Sequence, residues 1–317
     1  MKKYLCLLII ILFSCNNHDE NKIAIVIHGG AGIILKENIS KSKEDSIINK
    51  LDEAISKGWE LLKKGQSSEM TVIETIKILE DSPLFNAGKG SVFNNEGKVE
   101  NDASIMKGND LNAGASSGTS NVKNPITLAA NIMNHSEHVF LSGKGAENFA
   151  KNRNLEIVNN EYFHTKFRYN QLLNKKGEYK YGTVGCVAID VNGNIVAGTS
   201  TGGMTNKKWG RIGDSPIIGA GTYANNSTCG ISSTGSGEYF IRTVAAYQVS
   251  SLLENHNYDL KKAMYKVIHE KIGGIGGDGG MIGIDKNSNI SMEFNTPGMY
   301  RAYVNKYGEK EIFLYEE

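Results

Sequence analysis

Residues 181–190 contain a threonine whose position could make it a nucleophile. Gly182, Thr183, Val184 and Gly185 open a short apolar run that predicts a buried strand with Thr183 at its start. If the Gly182–Thr183 bond were cut, the new α-amine, with a pKa of roughly 7.7–8, could accept the hydroxyl proton within the same residue. Taken alone, this tetrapeptide fits an ordinary strand start better than a cleavage site.

A second group of residues with binding chemistry lies in the stretch 210–216. The guanidinium of Arg211 can hold a carboxylate through two parallel hydrogen bonds, and the carboxylate of Asp214 can bind an ammonium group. Such a pair suits the zwitterionic head of an amino acid. As an isolated motif, a surface ion pair is the better explanation.

Three further positions could support a developing negative charge or the nucleophile. Thr234 and Gly235 precede a predicted helix, where backbone N–H groups favour negative charge. Asn86 has an amide that can donate to an oxyanion, although from this stretch alone an asparagine in a turn is the better explanation. Thr201 ends the return strand of a hairpin turning at 192–193, which places its hydroxyl beside Thr183.

Taken in order, these motifs closely resemble the plant-type asparaginase and isoaspartyl peptidase family of N-terminal nucleophile hydrolases. No single motif is specific, but the ordered set is, and it extends over about residues 22 to 303. The segments that carry the resemblance are 27–32, 85–88, 182–185, 199–206, 210–216, 219–221 and 233–238.

The resemblance implies an α+β fold with four αββα layers. It also implies self-cleavage between Gly182 and Thr183, which would give chains 16–182 and 183–317 that stay associated and pair as a dimer of heterodimers. The implied catalytic residues are Thr183, Thr201, Thr234, Gly235 and Asn86. The implied substrate-binding residues are Arg211, Ile212, Gly213, Asp214, Thr234, Gly235, Ser236 and Gly237. The family more often has threonine where Ser236 stands.

The resemblance implies no catalytic cofactor, but it does imply a structural sodium ion. The loop 79–89 aligns with the sodium loop of the family, in which backbone carbonyls hold the ion. The residues concerned here are Leu79, Glu80, Ser82, Phe85, Ala87 and Lys89.

The activity implied is hydrolysis of isoaspartyl dipeptides and L-asparagine, with a small molecule or dipeptide as substrate. A glycosylasparaginase is one alternative, but that branch typically has Asp-Thr at the cleavage point and lacks the 27–32 motif. A non-catalytic amino-acid-binding lipoprotein is another, and it predicts a single intact chain. The enzyme is favoured because every proposed catalytic position holds a competent residue.

Composition limits the class of protein further. Of the 317 residues, 40% are hydrophobic and 22% charged, which is typical of a globular protein with a sizeable core. The net charge of +1 gives no basic face for nucleic acid. Glycine, at 36 residues, exceeds its usual share of about 7%, which indicates tight turns and backbone close to a ligand.

The first residues predict export. Lys2 and Lys3 precede an apolar run that is too short to span a bilayer, and residues 12–15 resemble a bacterial lipobox. We therefore expect a lipoprotein signal peptide over 1–15, lipidation at Cys15, a polar tether over 16–21 and one domain over 22–317, anchored to a membrane and facing the periplasm. A plain signal peptide cut nearby is the alternative. The other two cysteines, Cys186 and Cys229, have neither disulfide-framework nor metal-ligand spacing.

The elements that must position these residues follow from periodicity. An aliphatic strand over 22–27 runs into a glycine loop, in which His28 is interpreted as structural. Helices are predicted from a capping box at Ser42 to Gly65, over 69–80 and over 125–133, and one long helix over 238–254. Residues 152–180 are interpreted as a mobile connector that leads to the cleavage point.

Overall fold

Two β-sheets lie face to face between layers of helices in the computed structural model, which describes residues 22–174 and 182–316. Within these ranges the larger sheet has eight strands, in the spatial order β12 (Lys310–Phe313), β11 (Gly298–Val304), β1 (Ala24–Gly32), β5 (Val184–Ile189), β6 (Ile195–Thr201), β2 (Asn101–Lys107), β3 (Ala113–Thr119) and β4 (Phe140–Ser142). The smaller sheet has the order β10 (Ile290–Phe294), β9 (Gly279–Asp285), β8 (Cys229–Gly235) and β7 (Thr222–Ala224).

Helices cover the outer faces of both sheets. Those of the N-terminal half are α1 (Lys41–Lys63), α2 (Ser68–Glu80), α3 (Pro125–His135), α4 (Gly143–Asn152) and α5 (Lys166–Leu173). Those after the smaller sheet begins are α6 (Gly237–Thr243), α7 (Ala245–His256) and α8 (Leu260–Tyr265), the last continuing into a wider turn to Ile272. This arrangement confirms the predicted α+β fold with four αββα layers.

Strand β5 is apolar on both faces because both faces are buried. Successive side chains of a strand point to opposite faces, and both faces of β5 are covered. Cys186 packs in the cluster shared with α1 and α2, whereas Val187 packs in the cluster between the two sheets. The strand that follows Thr183 is therefore held from both sides. Cys186 and Cys229 are both buried and unpaired.

The strand register places two threonines side by side. Antiparallel pairing joins Val184 to Ser200 in β5 and β6, so that Thr183 and Thr201 lie at the same end of the hairpin. Pairing of β1 with β5 ends with His28 opposite Gly185. The start of β5, the end of β6 and the glycine loop of β1 therefore meet at one edge of the sheet.

Three local predictions were wrong. Helix α1 is capped by Ser40, whose hydroxyl accepts the N–H of Lys43, and not by Ser42. The predicted connector contains α5, which buries the side chain of Arg168. The long helix over 238–254 is two helices, because Val244 adopts a left-handed conformation with φ 48°.

The expected signal peptide, Cys15, the tether over 16–21 and the lysine-rich end of the connector over 175–181 lie outside the described residues. In the part of the chain that is described, no helix is long and apolar enough to cross a membrane.

Candidate active site

Most of the predicted catalytic, cleavage and substrate-binding residues line one cavity of about 90 Å³ at the edge where β5 begins and β6 and β8 end. The predicted residues on its walls are Gly182, Thr183, Thr201, Arg211, Gly213, Asp214, Gly235 and Ser236. Asn86, Ile212, Thr234 and Gly237 lie close to these residues in sequence or space without lining the cavity themselves. A nucleophile and two charged binding groups thus share one enclosed space.

The hydroxyl of Thr183 is held by Thr201. Thr183 is 6% exposed, and its Oγ1 donates to Oγ1 of Thr201 over 3.2 Å. Oγ1 of Thr201 also accepts the backbone N–H of Gly203 over 3.0 Å. Because the nearest side chain to the nucleophile is another hydroxyl and not a base, the residue needs a base from elsewhere.

Gly182 occupies a space that admits no side chain. A Cβ on Gly182 would collide with Oγ1 of Thr234 and would lie 2.9 Å from Cα of Gly30. Gly30 itself has φ 114°, a conformation that glycine adopts without strain. The residue before the nucleophile must therefore be glycine for the chain to pass between the β1 loop and β8.

Arg211 is already engaged by one carboxylate. Its Nε and Nη2 donate to the two carboxylate oxygens of Glu238 over 2.8 and 2.9 Å. This bidentate pair fixes the guanidinium plane. The edge formed by Nη1 and Nη2 remains for a second carboxylate, as a substrate would bring.

Asp214 lines the cavity, and one of its carboxylate oxygens is buried without a hydrogen-bond partner among the described residues. The side chain is 3% exposed, and among the described residues no hydrogen bond reaches Oδ2. Burial raises the pKa of Asp214 to about 7, although the Arg211 guanidinium opposes that shift. An ammonium group in the cavity would satisfy this oxygen and favour the ionised form.

Gly237 leaves room for both charged groups. A Cβ there would lie 2.6 Å from Oδ1 of Asp214 and 3.0 Å from Nη2 of Arg211. Gly237 therefore serves the binding site through the absence of a side chain. Ile212 is 39% exposed and lies between the two charged residues in the chain, outside the cavity wall.

Thr234 and Gly235 end strand β8, and the helix that they precede is shorter than predicted. The helix that follows, α6, has only seven residues and starts at Gly237. Thr234 is fully buried, and its Oγ1 accepts the N–H of Ala31 over 3.3 Å. Oγ1 of Thr234 therefore lies against both the β1 loop and Gly182.

Asn86 forms hydrogen bonds with the backbone of two residues that line the cavity. Its Nδ2 donates to the carbonyl of Gly203 over 2.7 Å, and its Oδ1 accepts the N–H of Val92 over 3.0 Å. Both Gly203 and Val92 line the cavity. Direct contact of Asn86 with an oxyanion stays a prediction.

Three residues near the site were missed by the sequence analysis. Glu238 orients Arg211, and Asp278 lines the cavity while its carboxylate accepts the hydroxyl of Ser236. His28, interpreted as merely structural, approaches the carbonyl of Thr183. None of these contacts has a local sequence signal, because the partners are far apart in the chain.

The loop that aligns with the sodium site of the family packs two glycines against backbone carbonyls. Gly88, with φ 53°, lies so close to the carbonyl of Glu80 that a Cβ would collide with it, and a Cβ on Gly90 would lie 2.9 Å from the carbonyl oxygen of Pro83. Carbonyl oxygens are ligands that hard cations prefer, so the loop fits the ion. The carboxylate of Glu80 faces away, accepting the hydroxyl of Ser200 over 2.7 Å.

The four αββα layers, with a threonine at the start of a central strand and Arg211 and Asp214 in the same cavity, are those of a hydrolase of the N-terminal nucleophile class. Comparison with known proteins identifies the family. A family model described as "Asparaginase" matches residues 21–314. The chain belongs to this family, the plant-type asparaginases and isoaspartyl peptidases, as its motifs predicted.

Individual relatives cover nearly the whole chain. An isoaspartyl peptidase of Escherichia coli (strain K12) is 45% identical over 297 residues, which cover 89% of this chain and 92% of that protein. A plant-type L-asparaginase of Pyrococcus furiosus is 41% identical over 310 residues, which cover 91% of this chain and 98% of that protein. The isoaspartyl peptidase of Salmonella typhimurium is 45% identical over 298 residues, which cover 89% and 95%.

Proposed function

We propose that the protein hydrolyses the side-chain amide bond of isoaspartyl dipeptides and L-asparagine through Thr183. The observation that carries this proposal is that Thr183, Arg211 and Asp214 line one cavity, and that Oδ2 of Asp214 has no hydrogen-bond partner among the described residues. The names of the relatives support the same substrates.

The reaction follows from this geometry. Arg211 binds the α-carboxylate and Asp214 the α-ammonium of the substrate, which presents the β-carbonyl to Thr183. Oγ1 of Thr183 attacks that carbonyl while the α-amine of the same residue takes the hydroxyl proton. Thr234 and Gly235 stabilise the oxyanion, a term worth about 2.7–4 kcal/mol for one donor. The protonated α-amine of Thr183 then gives its proton to the departing nitrogen as the C–N bond breaks, so that ammonia or a peptide amine leaves, and water hydrolyses the acyl-enzyme.

We also propose that the α-amine is produced by cleavage between Gly182 and Thr183. Masses measured under denaturing conditions should show two chains, and N-terminal sequencing of the smaller should begin at Thr183. Both substrates should then be turned over. A Thr183→Ala variant should remain one inactive chain, whereas Thr127→Ala, a control on α3, should be processed and active. An active Thr183→Ala protein, or an unprocessed wild type that still turns over, would refute this mechanism.

Three features of the assembled protein are proposed on the sequence resemblance. The two chains pair as a dimer of heterodimers, which light scattering on the processed protein would test. The carbonyls of the 79–89 loop hold a sodium ion that stabilises the loop. Export with a lipid on Cys15 is the third, and Cys15→Ala should release the protein from membranes and abolish its labelling by a fatty-acid analogue.

A non-catalytic amino-acid-binding protein and a glycosylasparaginase remain the alternatives to test. The first predicts an intact chain that binds aspartate without turnover. The second predicts preference for an asparagine that bears a glycan on its amide. Assays of all three amides on the same processed protein would separate them.

A further inference from the structure

A buried row of hydroxyls runs from the substrate-binding loop to an imidazole beside the nucleophile. We define the hydroxyl row as Ser104, Thr222, Thr199 and Ser232, all of which are fully buried. Their Oγ atoms are separated in turn by 2.8, 2.5 and 2.7 Å. At one end, Ser104 donates to the carbonyl of Ser215, the residue after Asp214, over 2.6 Å.

The other end of the hydroxyl row reaches Thr183 through His28. Nε2 of His28 lies 2.9 Å from Oγ of Ser232, and Nδ1 lies 2.9 Å from the carbonyl oxygen of Thr183. His28 is fully buried. The row therefore connects the loop that carries Asp214 with the backbone of the nucleophile.

The hydrogen-bond directions along this path follow from the chemistry of its ends. A carbonyl oxygen can only accept, so Nδ1 of His28 must carry the proton. Burial lowers the pKa of His28 to about 3, so the ring is neutral and Nε2 is an acceptor. Ser232 must then donate to Nε2 and accept from Thr199. The carbonyl of Thr183 therefore fixes the tautomer of the ring, and the Ser232 hydroxyl supports that tautomer by donating to Nε2.

The backbone is built around this contact. The pairing of β1 with β5 ends at His28 and Gly185, two residues before the end that Thr183 occupies. Beyond that point the imidazole supplies the donor for the Thr183 carbonyl. A Cβ on Gly185 would collide with Oγ of Ser232 and with Nε2 of His28, so this glycine makes space for the hydrogen bond.

We propose that His28 is a positioning residue for the nucleophile, whose Nδ1–H, oriented by Ser232 and the hydroxyl row, holds the carbonyl of Thr183. The inference rests on the proposed function, in which the α-amine of Thr183 is the base. Once the Gly182–Thr183 bond is cut, rotation about the Cα–C bond of Thr183 decides where that amine and Oγ1 lie. Fixing the carbonyl oxygen fixes this rotation.

The consequence is a specific kinetic signature. Misplacement of a reacting group by about 1 Å can cost roughly a hundredfold in rate. Because Arg211 and Asp214 stay in place, loss of the His28 contact should lower kcat and leave KM nearly unchanged. Loss of the Ser232 hydroxyl removes the hydrogen bond that holds Nε2 and should lower kcat about tenfold. This change corresponds to about 1.4 kcal/mol in the activation free energy.

The test compares two neighbouring serines of β8. Ser232→Ala removes the donor to His28, whereas Ser233→Ala removes an equally buried hydroxyl that has no hydrogen-bond partner among the described residues. Turnover of an isoaspartyl dipeptide is measured and normalised to the amount of chain that begins at Thr183, which separates catalysis from processing. Ser232→Ala should show the tenfold lower kcat with unchanged KM, and Ser233→Ala should match the wild type. Equal kcat values in the two variants would overturn the proposal.

Two further measurements exclude a general effect on folding. His28→Gln keeps one donor and one acceptor and should retain more kcat than His28→Ala at equal KM. Nitrogen-15 NMR of labelled histidine should show the Nδ1-protonated neutral ring in the wild type and a mixture of tautomers in Ser232→Ala; an Nε2-protonated ring in the wild type would refute the assignment. If the wild type and Ser233→Ala are both processed but inactive, the proposed function itself fails. If both are active and Ser232→Ala has the same kcat, only the role of His28 fails.

Discussion

Ionisation of Asp214 should control part of the acidic limb of the pH profile of kcat/KM. Asp214 binds the substrate ammonium only as the anion, and burial raises its pKa to about 7 in the free protein. Its contribution is therefore complete at alkaline pH and is lost as the pH falls through about 7. The α-amine of Thr183, with a pKa of roughly 7.7–8, must also be neutral to act as the base.

The active fraction of the enzyme is the product of the ionised fraction of Asp214 and the neutral fraction of the Thr183 amine. At pH 6 about one tenth of Asp214 is ionised and roughly 1–2% of the amine is neutral, so kcat/KM should fall to on the order of a thousandth of its plateau. On a logarithmic plot the limit of the acidic limb should have a slope of about 2. Asp214→Asn removes one ionisation, so its slope should be about 1, and its plateau should be lower by about 10–150-fold because a hydrogen bond to a charged group is worth roughly 1.5–3 kcal/mol.

The assay is initial-rate hydrolysis of L-asparagine by processed enzyme between pH 5 and 9 at constant ionic strength. Asp285→Asn, which alters a carboxylate that binds only backbone and Asn289 in a turn outside the cavity, should keep the slope of the wild type. A wild-type limb with a slope of about 1, superimposable on that of Asp214→Asn after scaling, would refute the role given to Asp214.

Three substitutions test other parts of the site and the fold. Gly237→Ala brings a Cβ to 2.6 Å from Oδ1 of Asp214, so KM should rise roughly 10–100-fold while kcat and processing persist; an unchanged KM would contradict the spatial argument. Thr201→Val removes the acceptor of the Thr183 hydroxyl and should lower kcat of the processed enzyme by at least about tenfold, as steady-state kinetics would show. Gly114→Ala inserts a Cβ against the backbone of α3, so it should cost about 1–3 kcal/mol of stability and lower Tm in calorimetry without changing kcat or KM.

The sequence predicted those parts of the site that depend on residues close together in the chain. The apolar run after Thr183 and the turn at 192–193 predict the hairpin that sets Thr201 beside the nucleophile, and the register confirms it. The excess of glycine indicated tight turns and backbone close to a ligand, and Gly182 and Gly185 each face atoms that exclude a Cβ. The cleavage-site environment was therefore largely predictable.

The break between α6 and α7 was not predictable from local patterns. Valine is a poor residue for a left-handed conformation, and the periodicity of 238–254 continues through it. The first N–H groups of α7 instead bind the carbonyls of Gly219 and Ala220, from Tyr247 over 2.8 Å and from Ala246 over 3.1 Å. These tertiary hydrogen bonds favour a bend at Val244 that the sequence pattern does not encode.

Long-range partners account for the other differences. In the sequence, Arg168 is one cation in a polar stretch. In the structure its Nε donates to the carbonyl of Gly90 over 2.7 Å, which holds α5 against the core. Glu238 follows the predicted oxyanion residues as an ordinary exposed helix residue, yet it orients Arg211. Neither contact has a signature in spacing, because each depends on how distant loops meet.

Under the proposed mechanism, the position of Gly182 gives a second reason for cleavage to precede turnover. In the intact chain Gly182 lies against Thr234 so closely that a Cβ would collide with the Thr234 hydroxyl, which is the predicted oxyanion donor. That hydroxyl therefore faces the backbone to be cut and not a substrate. Cleavage would supply the α-amine of Thr183 and, once Gly182 withdraws, would clear the same donor for the substrate carbonyl. An unprocessed chain lacks both the base and the space, so activity should rise in proportion to the cleaved fraction.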